Sequence, residues 1–211
     1  TEYKGINWDD LHATYYPRFE EAERSGDVDA YLFAMRDFLW EIPDGHVGGA
    51  VNSLLPYYWQ ETEGGIGIAI RETDDGRVLV NYVTPDSPAD RAGIQLRAEI
   101  FSVNDIPIQD AIEATVPWTG PFSTSHNRRL EQLRYVLRTP DGQQLSLSYR
   151  NPDETDTTEV QLTTEFEYES LDFSYYDTVG IEAPSGDLNL PVEYREIENG
   201  FVYIKIYGFF D

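Results

Sequence analysis

Cysteine is absent from the 211 residues, which excludes disulfides, thiolate catalysis and cysteine-ligated zinc. Histidine is scarce too, with three residues at 12, 46 and 126. None of them forms a His-x-x-x-His pair, so a zinc site of that kind has no support. Basic residues number 15 against 39 acidic ones, a formal charge of −24. Such a field repels a phosphate backbone and disfavours nucleic acid and anionic membrane surfaces as partners. No run approaches the roughly 20 apolar residues of a membrane-spanning helix, and the opening residues lack the pattern of a secretory signal. The acidic run from Asp153 to Asp156 has no sharp-turn glycine of the EF-hand type and reads as a solvated loop. We expect neither a metal nor a cofactor.

The residues present are those of a folded chain. Hydrophobic residues make up 40% and aromatics 14%, with Tyr the leading aromatic at 15. That is enough apolar surface to offset the entropy of ordering one or two domains. Residues up to about 43 read as two amphipathic helices. The first starts at an Asn7 or Asp9 cap and stops at Gly26, with a kink or a break expected at Pro17. Asp27 caps the second, in which Tyr31, Met35, Phe38 and Ile42 recur at helical spacing.

From about Gly64 the period becomes that of strands. "GGIGIAIRET" and "RVLVNYV" flank a turn at 74–76. "SPADRAGI" reads as a short helix capped by Ser87, with Pro88 at its first position. Two short strands surround Asn104–Asp105, and a longer helix runs through "STSHNRRLEQLRYVLRT" with Leu130, Leu133 and Leu137 on one face. "QQLSLSYR" and "TEVQLTTEF" alternate as strands. The last 45 residues read as strand-prone, with turns at "APSGD" and "IENG". Starting at Thr1 and stopping after the apolar "GFVYIKIYGFFD", the chain is expected to be cut from something longer on both sides.

A self-contained serine triad is not expected. Ser125 and His126 are neighbours, and neighbouring residues on a helix do not face each other. The strained Gly-x-Ser-x-Gly elbow is missing, so Ser123 to Ser125 read as helix-capping residues.

Four segments in order, "GGIGIAI", "VTPDSPADRAGI", "EIFSVNDIPI" and "LRTPDGQQLSLSYR", resemble a PDZ domain in its bacterial, circularly permuted form. The flanks "PDGHVG" and "FVYIKIYGF" resemble the segments that bracket this domain in the C-terminal-processing (tail-specific) serine peptidases and their tricorn-like relatives. The resemblance implies an α+β chain in three parts. Residues 1–50 would be a helical cap and 60–165 a PDZ domain, a partly open β-barrel with two helices. Residues 166–211 would be a strand-rich linker opening into an α/β catalytic core that lies beyond this chain.

Function follows from the same resemblance. A PDZ domain takes an extended peptide as an added strand, and free backbone amides hold its terminal carboxylate. Gly64, Gly65 and Gly67 would form the carboxylate loop, where glycine permits close backbone approach. Ile66 and Ile68 would line one wall of the pocket for the last side chain, with Leu130 and Leu133 on the other. The implied partners are C-terminal tails of protein substrates, and the implied location is extracytoplasmic. His46 is the candidate general base for a serine outside this chain. The Ser-Lys branch of the family would use a lysine instead. The alternative to a peptidase is a non-enzymatic PDZ adaptor with the same groove.

Overall fold

A computed structural model describes residues 5–48, 51–179, 192–197 and 200–206. The first helix, α1 (Trp8–Ser25), begins where the Asn7 side chain accepts the N–H of Asp9 at 3.1 Å. It ends where Gly26 turns left-handed at φ 70°. Pro17 lies inside this one helix and does not divide it in two. Asp27 then caps α2 (Val28–Trp40) through the N–H of Ala30, 2.9 Å away. The two helices lie against each other, with Tyr15 edge-on to Phe38 at 5.7 Å. Burial, then the hydrogen bond to Glu41, pushes the Tyr15 hydroxyl up to about 12. After a 3-10 turn at Val51–Leu54, α3 (Leu55–Thr62) leads into the sheet region.

Among the described residues, ten strands and four helices follow. The expected first strand is divided into β1 (Gly64–Gly65) and β2 (Ile68–Glu72), because Gly67 takes φ 81° between them. Next come β3 (Val78–Val83), α4 (Pro88–Arg91), β4 (Glu99–Val103), β5 (Ile106–Pro107), α5 (Ile108–Ala114) and α6 (Ser125–Tyr135). Ser87 caps α4 and Thr124 caps α6. Asn104 and Asp105 both have positive φ, at 49° and 63°. A tight turn between β4 and β5 needs that conformation, and short polar side chains tolerate it. Then follow β6 (Gln144–Arg150), β7 (Thr158–Thr163), β8 (Glu165–Phe166), α7 (Glu169–Val179), β9 (Val192–Ile197) and β10 (Phe201–Ile206).

The main sheet is antiparallel in the order β2-β3-β4-β6-β7, with β5 added to β4. It is open, leaving β2 and β7 as edges, so the fold is α+β with a sheet not closed into a barrel. The core inside it is aliphatic, with Ile66, Val78, Val80, Ile100, Ile112, Leu145 and Leu147 all buried. A second, aromatic-rich cluster of Leu54, Trp118, Tyr135 and Leu171 joins the helical region to α6 and α7.

Two elements depart from the sequence reading. Between residues 60 and 165 there are three helices rather than two, the extra one being α5. Its Ile108, Ala111 and Ile112 are buried at helical spacing, but seven residues after a proline give a weak signal. The segment expected as strand after residue 166 contains α7. Glu167 accepts the Ser170 N–H at 3.0 Å and caps its start, while Glu169 and Asp172 sit in its first turn, where the helix dipole favours negative charge. The "APSGD" turn lies outside the described residues. Around Gly200, β9 and β10 pair as a hairpin from Phe201↔Ile197 to Ile206↔Val192.

Candidate functional site

An edge strand carries a row of unpaired backbone groups and can pair with another chain. β2 is such an edge, and α6 runs alongside it. The approach to β2 is shaped by Gly67, whose added Cβ would collide with the Ser87 side chain. The carbonyl of Ile66 accepts the Ala89 N–H at 3.0 Å, and that of Gly67 accepts the Thr84 N–H at 2.7 Å. A trans peptide unit points its C=O and N–H in opposite directions. The amides of Gly67 and Ile68 are therefore turned away from α4 and Thr84.

The first two glycines do something else. Gly64 donates its N–H to the Thr139 carbonyl at 2.9 Å, and an added Cβ would lie 2.7 Å from the Pro140 carbonyl oxygen. Gly65 pairs with Glu165 between β1 and β8. Its Cα lies under the Arg138–Glu167 ion pair, which leaves no room for a side chain. Both glycines anchor the crossing of β1 with the chain ends that follow α6 and β7. They are not placed as carboxylate donors.

Ile66, Ile68 and Leu133 lie together, with Leu137 beside them. What fills the space between β2 and α6 was not legible in the sequence. Ser170, Leu171 and Ser174 of α7 face Ile66, Ile68 and Ile70 on one side and Leu133, Arg134 and Leu137 on the other. Only a void of about 10 Å³ remains. Leu130 lies further along, where the groove widens into a cleft of about 560 Å³ lined by Arg71, Thr73, His126, Arg129 and Leu133. At that open end Arg129 donates to Glu72 at 2.7 Å. The hydrogen bond from Arg129 outweighs burial and holds the Glu72 carboxyl below its ordinary range.

The helix α7 is fastened on three sides. At its start, Glu167 is paired with Arg138, whose Nε also donates to the Thr62 carbonyl at 2.8 Å. Toward β3, the Tyr82 hydroxyl donates to Glu169, and the Tyr82 and Phe173 rings stack at 4.3 Å. The Glu169 hydrogen bond, with burial second, raises the Tyr82 hydroxyl above its ordinary value. Toward α6, Arg134 donates to Ser174 at 3.3 Å and lies over the Tyr175 ring at 4.9 Å.

His46 stands apart in the turn after α2. Its side chain is 99% exposed, and Nδ1 lies 3.2 Å from Asp44 Oδ1, which also accepts the His46 N–H at 3.0 Å. Asp44 thus shapes the turn and orients the ring together. The Ser123 hydroxyl accepts the Gly45 N–H at 2.9 Å, tying this turn to the loop before α6. Among the described residues, no group of three or more His, Cys, Asp or Glu side chains could hold a metal ion. No described helix is long and apolar enough to cross a membrane.

An open antiparallel sheet with a helix alongside its edge strand is the arrangement of a PDZ domain. The PDZ domain family model matches residues 79–115, from β3 to just past α5. Among solved structures, mature CPAF complexed with lactacystin aligns with a TM-score of 0.53 at 15% identity, covering 96% of this chain and 42% of CPAF. The photosystem II D1 C-terminal processing protease aligns at 17% identity and a TM-score of 0.38, covering 91% of this chain and 41% of that one. The PDZ domain of a carboxy-terminal protease from Vibrio cholerae, in complex with peptide, aligns at 13% identity and a TM-score of 0.33, covering 49% of this chain and 95% of that domain. No curated protein matches in sequence. The chain contains a PDZ domain, and it shares a fold with CPAF over most of its own length. It spans less than half the length of CPAF.

Proposed function

We propose that this chain is the PDZ-bearing part of a serine endopeptidase of the C-terminal-processing kind, with a β2–α6 groove that takes the C-terminal tails of protein substrates. The observation that carries this reading is the edge strand β2. It faces α6 across aliphatic walls, and the amides after the Gly67 turn point away from the structure that holds its carbonyls. An extended tail laid along β2 gains ladder hydrogen bonds, its last side chain meets Ile66, Ile68, Leu133 and Leu137, and its carboxylate meets the Gly67 and Ile68 amides.

In this reading residues 1–50 form a cap, 60–165 the PDZ domain, and 166–211 lead toward a catalytic core. Tyr194, Phe201 and Ile204 of the β9–β10 hairpin are 78%, 67% and 60% exposed, which suits strands that pack on further protein. His46, oriented by Asp44, is the candidate base for a serine in that core, the alternative being a lysine there. An extracytoplasmic location belongs to the same proposal.

The test is a titration of the chain with a short peptide ending in valine, as the free acid and as its amide. Selective binding of the free acid is expected. Equal or absent binding of the two forms would overturn tail recognition.

A further inference from the structure

We propose that α7 is a displaceable internal ligand of the groove, so that a tail peptide enters at the open end by Leu130 and gains the β2 edge only as α7 leaves. This rests on the peptide-binding reading above. Three observations carry it.

The groove is closed along one half and open along the other, with a void of about 10 Å³ under α7 against a cleft of about 560 Å³ beyond it. A peptide therefore finds a foothold that α7 does not contest. Next, α7 covers the edge of β2 as a helix. Its backbone groups are bonded within itself, so it cannot supply the ladder hydrogen bonds that an extended peptide makes. The incoming strand has a source of affinity that the occupant lacks. Finally, α7 puts little apolar bulk into the groove. It sets small Ser170 and Ser174 beside one buried leucine, Leu171, at the groove. Its ties through Tyr82, to Glu169 and to Phe173, lie toward the surface, while Arg134 to Ser174 is a buried tie and the buried Arg138–Glu167 pair holds the residue that caps its start. With 11 residues, the helix is below the roughly 12–15 at which isolated helices hold together in water. Leaving the groove would melt it.

The occupied groove lowers apparent affinity by the fraction of molecules in which α7 is away. Weakening the latch must therefore tighten peptide binding, the reverse of what damage to a binding site does. The experiment uses the whole 211-residue chain with Leu171→Ser, and with Phe173→Ala as a milder variant that removes only the Tyr82 stack. Amide hydrogen exchange is followed at 169–175 and, as a check on the sheet, at β3 and β6. The free-acid peptide ending in valine is expected to bind both variants more tightly than the parent chain, about tenfold or more for Leu171→Ser. Its addition to the parent chain should speed exchange across 169–175 while β3 and β6 stay protected. Equal affinity in all three proteins, with α7 exchange unmoved by peptide, would overturn the gate and leave tail binding standing. No binding by any of them, with α7 exchanging freely in the variants, would overturn tail binding and the gate with it.

Discussion

Arg138 is 4% exposed and Glu167 13%, and the pair is ringed by backbone. The guanidinium serves the Thr62 carbonyl, the Glu167 carboxylate and the Glu167 carbonyl, joining the ends of α3, α6 and β8. The planar, forked guanidinium fits these spread acceptors, and the compact ammonium of lysine replaces it only in part. Truncating one partner of such a buried pair leaves an uncompensated charge. We expect Arg138→Ala to lower unfolding free energy by about 3–5 kcal/mol, and Arg138→Lys to recover part of that loss, both read by urea denaturation. A loss below about 1 kcal/mol, the range of exposed pairs, would show that Glu167 regains water by local movement.

At the scale of elements, α7 and β3 meet through Tyr82. Its hydroxyl donates to Glu169, which raises its pKa above the ordinary tyrosine value. A group whose folded pKa is raised contributes stability that is fully present below the unfolded value and is lost as pH climbs through the folded one. The contact of α7 with β3 should therefore persist up to about pH 10, the ordinary tyrosine value, and weaken above it. Tyrosinate absorbance, compared between the parent chain and Tyr82→Phe, locates the transition. Faster exchange at 169–175 should accompany it in the parent chain. Tyr82→Phe keeps the ring stack and removes the titrating group, so its α7 exchange should lack that step. A step of equal size in both proteins would place the titration elsewhere.

For the whole molecule the dominant electrostatic fact is the charge of −24. Self-repulsion at that charge opposes the compact state. Exposed ion pairs such as Arg24–Glu21 and Arg77–Asp75 contribute little against it. Salt shortens the screening length from about 30 Å at 0.01 M to about 8 Å at 0.15 M. That weakens long-range repulsion while sparing the buried Arg138–Glu167 pair. The midpoint of thermal unfolding should rise over this range of sodium chloride. A fall would mean that close ion pairs, not net repulsion, set the balance.

Much of the fold could be read from residue order, because local chemistry decides it. Asn7, Asp27, Ser87 and Thr124 cap helices, Gly26 ends one, and the Asn104–Asp105 turn joins two short strands. Period-two alternation marked β3, β6 and β7. Ile66, Ile68 and Leu133, singled out by resemblance, lie together between β2 and α6. Other features depend on which distant groups meet. Gly64 and Gly65 look like Gly67 in sequence, yet Thr139 and Glu165 engage them in pairing, while a positive φ and the closeness of Ser87 set Gly67 apart. The aromatic run after Tyr168 has strand propensity, but Glu167 caps it and Leu171 finds a buried place among residues from elsewhere in the chain, so it forms α7. Caps, turns and period depend on neighbours a few residues away, and the sequence by itself determined them. The occupant of the groove depends on a contact across about 40 positions, from Arg134 to Ser174. Only the tertiary structure decided that, because burial energy is settled by what packs together in space.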